Sequence, residues 1–215
     1  MRAWVILCLL CAAIAQGASY GKGSPDQIFL PAALCNSQTT VLPVTLWSLF
    51  ATDPVATCPT GTAIRRGSLV FDDTNTCTST SATVGCASDS ITLPAEFPSA
   101  GRIDARLLFT STDTTAAHTI VWTVATKCVT PTVGANASNG ITSDPATMNA
   151  AQSLTYTVGA SEVSASLRAV QVLGMTTTGC LGGDMLHVRV GRDITDTATT
   201  SLDFVGLELI IYGNP

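Results

Sequence analysis

Two stretches near the end of the chain alternate apolar and polar residues with a period of two. In residues 184–193, Leu186, Val188 and Val190 alternate with His187 and Arg189. This period places the aliphatic side chains on one face of a β-strand and the polar side chains on the other.

Residues 202–212 alternate again, and we expect their inward face to carry Val205, Leu207, Leu209 and Ile211. The opposite face then carries Phe204, Gly206, Glu208, Ile210 and Tyr212. The Thr- and Asp-rich residues between the two stretches favour a loop, so we predict an antiparallel pair of strands.

The rest of the chain contains similar short runs. They lie at 27–30, 41–50, 67–71, 90–93, 102–110, 119–127, 153–158 and 167–172, with Pro31 and Pro43 ending or breaking the first two. Loops are predicted at 53–61, 72–88 and 134–145, and helical character only at 144–152, where Asp144 precedes Pro145. About ten strands without alternating helices predict an all-β fold, an antiparallel jelly-roll or Greek-key β-sandwich. Two small β domains that divide near Asp89 are the alternative.

The N-terminal residues have the pattern of a secretory signal. Arg2 precedes an apolar stretch at 3–13, and Ala13-Ile14-Ala15 is a cleavage motif, with Gly17 as the second choice. The apolar stretch is too short to span a bilayer. We therefore predict a signal peptide at 1–15, a flexible leader at 16–26 and one sandwich domain at 27–215. The mature protein is expected to be extracellular or on the cell surface, without membrane insertion. An N-terminal hydrophobic strand is the alternative.

Cysteine usage supports export. The chain has 8 cysteines, and cleavage would remove Cys8 and Cys11. An even number in an exported chain predicts three disulfides. We favour Cys77–Cys86, because these residues bracket a short Ser/Thr loop. We also favour Cys35–Cys58 and Cys128–Cys180, because their cysteines lie at the ends of β-patterned runs.

The balance of charge argues against some classes of partner. Without Arg2, 9 basic residues remain against 15 acidic ones, a net charge of −6. An acidic chain that is poor in lysine is not expected to bind nucleic acid or an anionic membrane. Only 12% of residues are charged, which fits a surface that packs against copies of the same protein, although a compositional habit of the source organism gives the same pattern.

No catalytic set is predicted, and we expect the protein not to be an enzyme. A hydrolase triad is not favoured, because the chain has only two histidines, His118 in a loop-like stretch and His187 on the polar face of a strand. Glutamate occurs at Glu96, Glu162 and Glu208, and Asp104 with Glu208 is the one carboxylate pair that strands could direct to a single groove. A solvated or hydrogen-bonded strand histidine is the simpler interpretation of His187, and surface charge is the simpler interpretation of the carboxylates.

The sequence offers a few candidate residues for binding a metal ion or another ligand. No cofactor is predicted, and the best place for a calcium ion is the loop containing Asp193 and Asp196, ahead of Asp72-Asp73. Trp47 and Trp122 lie on apolar strand faces, so they are expected to fill the core. This leaves Tyr156, Tyr212, His187 and Arg189 as candidate ligand-binding residues for a glycan or a cell-surface polymer.

A family resemblance extends over 28–212. Its segments are FLPAALCN, VATCPTGT, RRGSLVF, ITLPAEFPSAGRIDARLLFTS, VWTVATKCV, TTTGCLGGDMLHVRVGRD and VGLELIIY. Together they resemble uncharacterised secreted jelly-roll proteins of environmental bacteria, which are similar to phage tail-like structural jelly-roll domains. The resemblance implies a surface-displayed or virion-like sandwich that oligomerises, and it implies no catalytic residues.

Three hypotheses for function follow. The first is an exported structural or adhesive module that acts by self-association or by binding a surface polymer, as a filament, surface-layer or tail-like component. The second is a carbohydrate-binding module, and the third is a secreted hydrolase.

Overall fold

The structure is a computed structural model that describes residues 25–35, 43–44, 47–49, 55–57, 66–72, 86–99, 101–131, 148–193 and 195–213. These residues contain strands and no helix. The strands are β1 (Asp26–Pro31), β2 (Ala33–Cys35), β3 (Pro43–Val44), β4 (Ser48–Leu49), β5 (Val55–Thr57), β6 (Arg66–Phe71), β7 (Cys86–Thr92), β8 (Arg102–Ser111), β9 (Thr119–Val129), β10 (Gln152–Thr157), β11 (Leu167–Val172), β12 (Met185–Arg192) and β13 (Leu202–Tyr212).

These strands form two antiparallel sheets. The 8-stranded sheet has the order β11-β8-β13-β6-β2-β3, with β1 also paired to β13 and β5 to β6. The 5-stranded sheet has the order β10-β9-β12-β7-β4. One hydrophobic core, to which both sheets contribute, lies between them.

The pairing of the last eight strands defines the topology. Strand β6 pairs with β13, β7 with β12, β8 with β11 and β9 with β10. This nested pairing is that of one long hairpin rolled into two sheets, with β6, β8, β11 and β13 in one sheet and β7, β9, β10 and β12 in the other. The arrangement is a jelly roll, and the predicted all-β sandwich is confirmed.

The predicted pairing of the two C-terminal strands is wrong. Strand β12 lies between β7 and β9 in the 5-stranded sheet, whereas β13 pairs with β8, β6 and β1 in the 8-stranded sheet. The connection between them crosses from one sheet to the other. The physical reason is that a jelly roll separates strands that are adjacent in sequence, and alternation within each strand carries no information about its partner.

Aromatic rings fill the centre of the core. Trp122 on β9 lies 5.2 Å from Phe71 and 5.6 Å from Phe109, measured between ring centroids, and Trp47 lies 5.1 Å from Phe204. Both tryptophans are buried, which confirms that they fill the core. Because Phe71, Phe109 and Phe204 belong to the other sheet, these contacts join the two layers.

A β-bulge changes the inward face of β13. The pairing with β8 shifts between Phe204 and Gly206, so Val205 is the extra residue. Phe204 is fully buried with Leu207, Leu209 and Ile211, whereas Val205 is only partly buried. The expected inward position of Val205 and outward position of Phe204 are therefore wrong, because one inserted residue reverses the alternation.

Other boundaries also differ from expectation. Residues 55–57, predicted in a loop, form β5, and β7 begins at Cys86, inside the predicted loop at 72–88. Residues 148–151 are not helical and Gln152 begins β10, while 144–147 lie outside the described residues. Asp26, predicted in the leader, pairs with Ile211. The predicted signal peptide and cleavage site lie outside the described residues.

One predicted disulfide is described in full. Cys128 and Cys180 are bonded, with a Cα–Cα distance of 5.2 Å, which confirms that pair. Cys86 is also disulfide-bonded, but its partner is not among the described side chains. The pairs Cys77–Cys86 and Cys35–Cys58 stay predictions.

The bulge gives a direct mutational test. We expect Phe204→Ala to lower the free energy of unfolding by about 3–5 kcal/mol, because it removes a buried ring. Val205→Ala is the matched control and should cost only about 1 kcal/mol. Urea denaturation of both variants measures the difference, and a larger loss for Val205→Ala would contradict the bulge.

The disulfide gives a second test. Cys128 and Cys180 are 52 residues apart in sequence, so their bond restricts a long loop in the unfolded chain. Replacing both by alanine should lower the free energy of unfolding by about 4 kcal/mol. Chemical denaturation under non-reducing conditions measures this loss, and an unchanged midpoint would show that the bond does not stabilise the fold.

Candidate functional site

Arg192 organises the connection between β12 and β13. Its guanidinium forms an ion pair with Asp196, with Nε 3.1 Å from Oδ2, and both side chains are almost fully buried. It also donates to the carbonyl oxygens of Thr200, at 2.9 Å, and Ala198. The buried Arg192 guanidinium thus binds several groups of the loop that crosses between the sheets.

The same loop contains the two calcium candidates. The Asp196 carboxylate accepts hydrogen bonds from Arg192 and from the backbone N–H groups of Val121 and Ala198. Asp193 Oδ1 accepts from the N–H and hydroxyl of Thr195, as in an Asx turn. Both carboxylates therefore have partners within the protein. Across the described ranges, no group of three or more His, Cys, Asp or Glu side chains could hold a metal ion.

Asp104 is buried beneath Arg102 and Tyr212. Its carboxylate accepts from Arg102 Nε at 2.7 Å, from Gly174 N at 2.7 Å and from the Tyr212 hydroxyl at 3.1 Å. Burial alone would raise the pKa of Asp104, but these hydrogen bonds hold the pKa below its ordinary value. The expectation that Asp104 is a surface charge is therefore wrong, because the neighbouring side chains cover its carboxylate.

The proposed carboxylate pair does not have the properties of a glycosidase site. Glu208 forms an ion pair with Arg106, 2.6 Å away, and Asp104 has a lowered pKa. A glycosidase needs one carboxyl group with a raised pKa close to a second carboxylate. Burial raises the pKa of Asp89 and of Asp203, but these residues lie on different sheets.

A second cluster lies where the turn after β8 meets the loop before β11. Asp113 is buried and its carboxylate lies 2.9 Å from Nδ1 of His118. Arg168 donates to the Asp113 carbonyl oxygen at 2.9 Å and lies 3.3 Å from Glu162. The Tyr156 hydroxyl donates to Glu162, and the Arg168 guanidinium stacks over the Tyr156 ring at 5.5 Å. The structure thus brings His118 and Glu162 to one region, each held by its own partners.

Hydrogen bonds in this cluster favour the ionised forms of Asp113 and Glu162. Burial would raise the pKa of Asp113, but the hydrogen bonds from His118 and Thr115 lower it overall. The hydrogen bond from Tyr156 lowers the pKa of Glu162. Both carboxyl groups therefore stay ionised near neutral pH and orient the side chains that they contact.

His187 and Arg189 lie on the face of the 5-stranded sheet that points away from the core. Both are buried, with exposed fractions of 6% and 3%. His187 Nδ1 lies 2.7 Å from the hydroxyl of Ser90, the residue opposite it on β7. Burial, together with the nearby charge of Arg189, lowers the pKa of His187. The imidazole is therefore neutral near pH 7.

Tyr156 is the candidate ligand residue that lines a groove. The groove, of about 540 Å³, runs between the edges of β10 and β11. Its lining residues are Ser153, Leu154, Thr155, Tyr156, Thr157, Ala169, Val170 and Gln171. Tyr212, His187 and Arg189 lie on other elements, so the structure does not combine the four candidates into one site.

Sequence reasoning missed the buried residues Asp113 and Arg168 and the partly buried Ser90. The sequence did contain a signal for Arg168, because its position alternates in phase with Val170 and Val172 on the inward face of β11. An arginine on the inward face of a strand requires buried hydrogen-bond acceptors. Ser90 gave no comparable signal, because its partner His187 lies on another strand. Asp113 lies close in sequence to His118, but its contact with Arg168 is made only by the fold.

No protein-family model and no curated protein matches the chain. Among solved structures, the chain is similar to the unassembled VP1 pentamer of KI polyomavirus, with 11% identity and a TM-score of 0.18, over 88% of this chain and 95% of that chain. The jelly-roll assignment rests on the strand order and not on this similarity. Within the described ranges, no helix is long and apolar enough to cross a membrane.

The pKa of His187 predicts a pH dependence of stability. Because the folded-state pKa lies below the unfolded value of about 6.5, the unfolded chain binds the proton first as pH falls. The stability that comes from burying the neutral His187 imidazole is fully present above about pH 6.5, and it is lost as pH falls towards the folded-state pKa. Between pH 7 and pH 5.5, His187→Gln should therefore lose less stability than the unmodified protein.

Denaturation at the two pH values measures this difference, and the other titrating groups are common to both proteins. An equal loss in both proteins would contradict the burial of a neutral imidazole. NMR titration of the His118→Gln variant, which keeps only His187, gives the pKa independently.

Proposed function

We propose that this protein is an exported, non-enzymatic structural component that acts through contact, by associating with copies of itself. The observation that carries the proposal is the distribution of exposed apolar side chains. Val163, Leu167 and Leu173 are exposed by 70%, 58% and 65%. All three lie in or beside β11, the outermost strand of the 8-stranded sheet.

In the described part of the chain, three of the five exposed large apolar side chains lie in or beside this strand. Single exposed apolar residues are normal, but a group of them marks a surface that contacts another molecule. Phe29 is also exposed by 43%, over Gly206 on the same sheet. With only 12% of residues charged, little charge opposes the approach of a second copy.

The buried polar clusters support a non-enzymatic role. Asp104, Asp113 and Glu162 have lowered pKa values and fixed partners. Asp196 has an arginine partner. These groups stabilise loops, whereas a general acid or base requires a pKa near the working pH. The disulfides at Cys86 and Cys128 support export, because disulfides persist in oxidising compartments.

A carbohydrate-binding role is the second candidate, because the groove between β10 and β11 presents the hydroxyls of Ser153, Thr155 and Thr157 beside Tyr156. A glycan array tests it, with and without calcium. Hits that disappear in the Thr155→Val variant would favour this role. A secreted hydrolase has no comparable observation in its support.

The size of the protein in solution tests the main proposal. We expect light scattering on the mature chain to give a mass that increases with concentration, because exposed apolar surface favours association. Added salt should not abolish it, because the surface around β11 carries few charges. A strict monomer over a wide concentration range would contradict the proposal.

A further inference from the structure

Strand β11 is an unprotected edge. Among the described strands only β8 pairs with it. Edge strands in soluble proteins are usually protected by lysine, proline or a bulge, but β11 has the sequence LRAVQV. Its one charged residue, Arg168, is buried and contacts Asp113 and Glu162. The exposed side of this strand therefore has no charge that would repel a second sheet.

The backbone groups that face outward can be assigned. The carbonyl oxygens of Ile103 and Ser111 on β8 accept from Met175 and Ala165, on the β11 side. Odd-numbered residues of β8 therefore direct their backbone groups towards β11, where they lie opposite Arg168, Val170 and Val172. Because backbone groups alternate along a strand, the N–H and C=O of Leu167, Ala169 and Gln171 point away from β8.

We propose that β11 pairs antiparallel with β11 of a second copy, with Ala169 opposite Ala169 of that copy on the two-fold axis. This inference rests on the proposed function and specifies its interface. The two 8-stranded sheets then form one continuous sheet across the dimer. Such a pairing is isologous, so it closes after two copies.

The register follows from the number of backbone groups that it satisfies. With Ala169 on the axis, Leu167 pairs with Gln171 of the second copy, Ala169 with Ala169, and Gln171 with Leu167. All three outward-facing residues of each strand then form hydrogen-bonded pairs. A register centred on Arg168 or on Val170 would satisfy only two of the three residues in each strand.

This register also accounts for the two exposed leucines. Residues that are diagonal across an antiparallel pair lie close enough for long side chains to touch. Leu167 is then diagonal to Leu173 of the second copy, and the symmetry repeats the contact. The dimer therefore covers two side chains that the single chain leaves exposed by 58% and 65%.

Strand β10, the edge of the other sheet, differs in chemistry. By the same alternation, its outward-facing backbone groups belong to Ser153, Thr155 and Thr157, because the N–H of Val158 donates to His118 on the β9 side. Their side chains carry hydroxyl groups and are exposed, so pairing along β10 would bury no large apolar group. This difference makes β11 the strand that associates.

Single cysteines test the register. In the Ala169→Cys variant of the mature protein, the two Cα atoms would lie about 5.5 Å apart, within the range for a disulfide. In Gln171→Cys, the equivalent residues are separated by four positions, roughly 14 Å, and cannot bond. We expect air oxidation to give a covalent dimer of Ala169→Cys but not of Gln171→Cys, nor of Thr155→Cys on β10.

A proline tests the hydrogen bonds. The N–H of Ala169 points away from β8, so Ala169→Pro keeps the ladder within the chain and removes two bonds across the dimer. It should raise the dimer dissociation constant about tenfold or more, while the melting temperature of the monomer stays similar. Ala169→Lys, which is compatible with an exposed strand, should weaken the dimer in the same direction.

The outcomes separate this inference from the proposed function. If the protein associates but Ala169→Cys does not crosslink and Ala169→Pro has no effect, the β11 interface is wrong and self-association stands. A dimer of Thr155→Cys in place of Ala169→Cys would overturn the choice of strand. A protein that never associates would overturn both.

Discussion

The contacts of Trp122 hold the two sheets together. Its indole lies on the 5-stranded sheet, within 5.2–6.0 Å of the rings of Phe71, Phe109 and Phe204 on the 8-stranded sheet. Rings at these distances exclude water and fix the spacing of the layers. The bulge at Val205 belongs to the same constraint, because it brings Phe204 to the inward face. The rest of the fold is built around this cluster.

The buried charged residues stabilise the loops at the ends of the sheets. Arg192 closes the connection between β12 and β13, Arg168 joins the regions around Asp113 and Glu162, and Asp104 fixes Gly174. Each cluster satisfies backbone groups that the sheets leave unpaired. The acids of these clusters thus stabilise loops, whereas among the described strands only β8 pairs with β11.

The sequence predicted the parts of the fold that depend on alternation. The bounds of β11 and β13, the burial of both tryptophans and the Cys128–Cys180 bond follow from periodicity, hydrophobicity and cysteine count. The partner of each strand did not follow, because β12 and β13 alternate identically whether they pair or cross between sheets. The bulge at Val205 was also invisible, since one extra residue in a continuous apolar run leaves no gap in the pattern.

The polar clusters were the hardest part to predict, because each also has a partner that is distant in sequence: Val121 for Asp196, Gly174 for Asp104 and Arg168 for Asp113. Amide hydrogen exchange at increasing protein concentration tests whether two copies pair along β11. We expect the amides of Leu167, Ala169 and Gln171 to become protected, while those of Ser153, Thr155 and Thr157 keep exchanging quickly. Rapid exchange of the β11 amides at every concentration would contradict this pairing.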